Sequence, residues 1–174
     1  MESSGKLKIA AVGDREIVIT RVFDAPRHVV YSAMTQPELL KRWLLGPPGW
    51  SMVTYEVDLS VGGKFRYVWR TADGMEMAMS GVYREIVPNE RVVNTQRFDF
   101  GCESQSGEQV ATDVLVEEEG RTTLTCTLVY PSKEARDATL ASGMSKGVAA
   151  SYDRLAELLP TSQTAAGNRS VRTA

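Results

Sequence analysis

The chain has 174 residues, of which 43% are hydrophobic and 24% charged, with a formal net charge of -2. These proportions fit one globular domain with a buried core rather than a disordered chain, and the near-neutral charge with scattered basic residues disfavours a nucleic-acid partner. No apolar run approaches the roughly 18 residues of a spanning helix, and "MESSGKLKIA" lacks the apolar centre of a secretion signal, so no membrane insertion and a cytoplasmic location are expected.

Residues 1–14 read as an N-terminal extension. From Arg15, "REIVITRVFD" alternates Ile17 and Ile19 with polar neighbours, the period of a half-buried strand. Pro26 suits the start of a helix whose apolar stripe is Val29, Val30, Ala33 and Met34, and His28 reads as a surface residue of that helix. A second short helix is expected from Pro37 to about Trp43. The pair has a helix-turn-helix shape but lacks basic residues at recognition positions.

The stretch "WLLGPPGW", residues 43–50, then places two of the chain's three tryptophans on either side of a Gly-Pro-Pro-Gly turn. The prolines make that turn rigid, so one of the rings of Trp43 and Trp50 can anchor it to the core while the other borders a cavity. Which ring does which is open at this level.

Six strand-like runs follow: "SMVTYEVDL", "KFRYVWRT", "MEMAMSGVYREIV", "RVVNTQRFDF", "QVATDVLVEEE" and "RTTLTCTLVYP". Five short turn signals separate them, which predicts an antiparallel meander. Gly62 and Gly63 serve the first turn, with Asp58 as its hydrogen-bonding partner. Phe65, Tyr67 and Trp69 share one strand face, and Met75, Met77 and Met79 share a face of the next. Either stripe can be plain core or the wall of a cavity, where methionine adapts to irregular ligands.

Ser132 is placed to cap a long helix ending at Leu159, before Pro160. Met144, Val148, Tyr152, Leu155 and Leu159 form a stripe along it. Gly143 and Gly147 lie inside this run, where each costs about 1 kcal/mol relative to alanine, and close packing, a kink or space for a ligand would each account for them. Residues 160–174 have no apolar periodicity and read as a disordered tail.

One strand, two short helices, six strands and one long helix predict an α+β architecture in which a bent antiparallel sheet wraps the last helix. The gap between helix and concave sheet becomes an interior cavity. Candidate ligand-binding residues are Trp43, Trp50, Phe65, Tyr67, Trp69, Met75, Met77, Met79, Met144, Val148 and Tyr152.

Catalytic chemistry finds little support. Cys102 and Cys126 form no CxxC pair, and with one histidine there is neither a zinc ligand set nor a nucleophile–base–acid triad. No metal and no cofactor is expected. Glu56 and Asp58 share a strand face, and such a pair beside a turn is more often solvated structure than proton-transfer machinery.

Five segments carry a resemblance: "FDAP" at 23–26, "PELLKRWLLGPPGW" at 37–50, "EVDLSVGGKF" at 56–65, "GVYREIVPNERVV" at 81–93 and "GVAASYDRLAELL" at 147–159. In this order, from about Arg15 to Leu159, the chain resembles the START-like, or SRPBCC, helix-grip superfamily and within it the activator of Hsp90 ATPase homologue 1-like branch. The resemblance implies a helix-grip fold with a pocket for a lipid-like, aromatic or polyketide-like molecule. A chaperone partner of the Hsp90 type, or a cyclase or hydrolase acting on a polyketide-like substrate, are the alternatives it implies; Glu56 is the carboxylate to test for the latter, and a monomer and a homodimer both stay open. One departure is Val148, where many relatives carry tryptophan, so ligand preference is not inherited from them.

Overall fold

The computed structural model describes residues 5–46, 48–99 and 107–160. Cys102, Pro47 and residues 161–174, read above as a tail, lie outside them. The elements run β1 (Lys8–Val12), β2 (Glu16–Phe23), α1 (Arg27–Thr35), α2 (Pro37–Trp43), β3 (Trp50–Val57), β4 (Lys64–Thr71), β5 (Glu76–Val87), β6 (Arg91–Asp99), β7 (Glu108–Glu118), β8 (Arg121–Val129), α3 (Lys133–Ala141) and α4 (Met144–Leu158).

All eight strands join one antiparallel sheet in the order β1-β2-β8-β7-β6-β5-β4-β3. After β2 the chain crosses the sheet through α1 and α2, then returns strand by strand until β8 lies beside β2. Register shifts between Met52 and Thr54 and between Tyr83 and Glu85 interrupt the ladders, the kind of irregularity that bends a strand. The curved sheet closes on the C-terminal helix: Leu155 is fully buried, and the Tyr152 ring meets Phe23 edge-on at 6.0 Å and Trp43 at 6.2 Å. The helix-grip architecture read from the sequence is the one found.

Two details differ. Lys8–Val12, read as part of an extension, forms β1, pairing Ile9 with Ile19 across a turn through Gly13. Its residues are almost all exposed, so it never needed the alternation that betrays a half-buried strand. The long helix is also two helices. Ser132 does cap the first, its hydroxyl oxygen accepting the Ala135 N–H at 3.1 Å, but Gly143 has φ 80°, a left-handed conformation that ends one helix and starts the next. Only Gly147 is therefore a glycine within a helix. Neither glycine is a point of close packing, because a Cβ at either would meet nothing within 4 Å.

Arg21 sits on the inner face of β2, 6% exposed, with Nη1 2.7 Å from Asp153 of α4 and its guanidinium 5.5 Å from the centre of the Phe23 ring. This ion pair ties the first long strand to the last helix.

Candidate functional site

Strand alternation builds the site. Phe65, Tyr67 and Trp69 point inward from β4, and their rings form a continuous wall, with centroids 5.3 Å apart for Phe65–Tyr67 and 6.1 Å for Tyr67–Trp69. Tyr83 of β5 adds a fourth ring 5.3 Å from Phe65. Together with Met77 and Met79 this wall faces α4, and between them lies a cavity of about 680 Å³. Met144, Gly147, Val148 and Tyr152 line its helical side, and Leu40 and Trp43 of α2 line one end.

The Gly-Pro-Pro-Gly loop is pinned from two sides. The Trp69 indole N–H donates to the Leu44 carbonyl at 2.8 Å, and Arg154 Nη1 of α4 donates to the Gly46 carbonyl at 3.2 Å. Trp43 performs both roles that the sequence divided between two rings. Its indole N–H donates to the Ala33 carbonyl at 2.8 Å, which anchors it, and the same ring lines the cavity.

Two of the candidate residues are placed elsewhere. Trp50 opens β3, half-buried against the margin of the core, and is not part of the cavity lining. Met75 lies in the turn before β5, 56% exposed, because the strand whose alternation it was assigned to begins one residue later. Trp43, Phe65, Tyr67, Trp69, Met77, Met79, Met144, Val148 and Tyr152 are brought together around the void. Glu56, the residue offered for catalysis, is exposed on the opposite face of the sheet, paired across strands with Arg66. Asp58 holds the turn instead, its carboxylate accepting the Ser60 hydroxyl at 2.9 Å.

The floor of the cavity is polar, and the sequence reading missed it. Asn94 and Gln96 of β6, Gln109 and Asp113 of β7, and Cys126 of β8 all line it. Gln109, Ala111, Asp113 and Leu115 share one strand phase, as do Val92, Asn94, Gln96 and Phe98, but Val110, Val114 and Val116 make the other phase of β7 the more apolar one, so alternation alone did not mark the polar set as inward. Gln96 and Gln109 satisfy each other, with Gln109 Nε2 donating to Gln96 Oε1 at 2.9 Å. Asp113 lies directly across the ladder from Cys126, so its carboxylate and the thiol are neighbours.

Burial governs the ionisation of these groups. It pushes the Asp113 carboxyl up to about 6, the hydrogen bond from Cys126 acting weakly the other way. Burial also raises the Cys126 thiol well above its ordinary range, helped by the neighbouring carboxylate. Tyr83 is raised to about 12 and Tyr67 is raised too, in both cases mainly by burial. At neutral pH the cavity therefore presents neutral phenols, a neutral thiol and one carboxylate, with the Arg91 guanidinium at its edge.

The comparisons agree with this architecture. A family model described as Activator of Hsp90 ATPase homolog 1-like protein matches residues 24–160. A solved structure of a protein from Rhodobacter sphaeroides is 29% identical, with TM-score 0.81, covering 88% of this chain and 97% of that one. One from Chromobacterium violaceum is 31% identical, with TM-score 0.69, covering 83% and 96%. A Mycobacterium smegmatis protein at 22% identity shares the fold, with TM-score 0.75 over 88% of this chain and 98% of that one. No curated protein matches the chain.

Proposed function

We propose, for a chain that belongs to the Activator of Hsp90 ATPase homolog 1-like family, that it binds a small hydrophobic molecule between its curved sheet and α4. The observation that supports this reading is the cavity of about 680 Å³, walled by four rings in tilted and edge-on contact and by two methionines. That volume lies within the roughly 300–1,000 Å³ of ordinary small-molecule sites, and an apolar wall with a few polar groups is their usual composition. A merely structural core would be filled, because voids of this size forfeit dispersion contacts on every side.

Two features of the chain keep the void open. Gly147 puts no side chain on the helical face, and Val148 puts a small one there. The hydrogen bonds from Trp69 and Arg154 to the Leu44 and Gly46 carbonyls hold the chain after α2 against the sheet and α4.

The test is native mass spectrometry of the purified chain, followed by denaturation, together with titration of the neutral dye Nile red. A small molecule released on unfolding, or saturable dye uptake that the released molecule displaces, is expected. A protein that carries nothing and takes up no dye would end this reading.

A further inference from the structure

Asp113 is the feature that a purely apolar ligand leaves unexplained. It lies on the cavity floor in mid-strand, and it is enclosed by the fold while still exposing part of its side chain to the void. Burying a carboxylate without a counter-charge is costly, so such groups are ordinarily paired. Among the described residues none forms an ion pair with it.

The groups facing it from the surrounding elements are all neutral at pH 7: Cys126 opposite on β8, Tyr83 on β5 and Tyr152 on α4. The neighbouring cations are already engaged. Arg21 of β2 is held by Asp153, and Arg91 of β6 lies at the cavity edge with its Nε 3.2 Å from Glu85.

On the reading that the cavity holds a hydrophobic ligand, we propose that Asp113 selects ligands carrying a protonated amine. The ammonium group supplies the missing counter-charge and donates to the carboxylate, while the phenol faces of Tyr83 and Tyr152 are the kind of surface that favours a cation. The apolar body lies toward β4. That strand is three strand spacings from β7 in the sheet order, roughly 14 Å along the surface and less across its concave face, so a ring joined to an amine by a short linker spans the distance.

The proposal predicts a pH signature. Asp113 titrates near 6, so an amine loses its partner on acidification, and its affinity is expected to be about tenfold weaker at pH 5 than above pH 7. A neutral ligand has no such dependence.

The experiment is calorimetric titration of the full chain with three probes of one shape: naphthylethylamine, naphthylethanol and naphthylacetate. The expected order is amine over alcohol by about tenfold or more, with the acid weakest. In Asp113→Asn the amine and alcohol should bind alike, the alcohol's affinity staying close to that of the unaltered chain. Equal binding of amine and alcohol to the unaltered chain, or a preference that survives Asp113→Asn, would overturn the role of Asp113 and leave the hydrophobic cavity standing. Binding of none of the three would remove both.

Discussion

Asp113 shows how a single inward-facing residue can oppose the stability of the fold that contains it. Its carboxyl titrates near 6 in the folded chain and near 4 when exposed. Since the folded value is the higher one, the unfolded chain releases its proton first, and stability falls as pH rises from about 4 to about 6. Asp113→Asn should therefore stabilise the empty protein at pH 7 by up to about 3 kcal/mol, with the gain absent below pH 4. Chemical denaturation at the two pH values measures this, and an equal effect at both would contradict it. The residue escaped the sequence reading because "QVATDVLVEEE" looks like an ordinary strand until its phase is known. Nothing local says which of its two faces turns inward.

At the scale of elements, α4 is built for its cavity more than for its own stability. Gly147 lies in its first turns, where alanine is better by about 1 kcal/mol, and no neighbour would obstruct an added methyl. Gly147→Ala should raise Tm by about 2–4 °C, while ligand uptake falls or stays level. A lower Tm would show that the glycine is required by the fold. The tie between β2 and α4 runs the other way. Asp153→Ala leaves the Arg21 guanidinium buried without its acidic partner, and a loss of about 1–3 kcal/mol in a denaturant melt is expected. Helix boundaries were legible where capping chemistry is local, as at Ser132 and at Pro37, and α2 spans the residues expected of it. The break at Gly143 was not, since one glycine can be a kink, a stop or a packing contact, and its backbone conformation decides.

For the whole molecule, the sheet and the helices together form the void. Val148→Trp should fill much of it from the helical side, so Nile red uptake is expected to fall at least several-fold while the protein stays folded, as circular dichroism would show. Undiminished uptake would place the dye elsewhere. The sequence by itself determined seven of the eight strands in their order along the chain, the two short helices, the meander and the packing of a helix against the concave sheet. These follow from hydrophobic period and turn chemistry, both of which act over a few residues. It also marked most of the cavity wall, because rings and methionines at alternate positions must face one way together. Only the tertiary structure decided that Trp43 and not Trp50 reaches the void, that Glu56 faces away from it, and that Asp113 meets Cys126 on its floor. Those outcomes depend on which sheet face curves inward and on pairing between strands distant along the chain, and no local preference of the backbone encodes either.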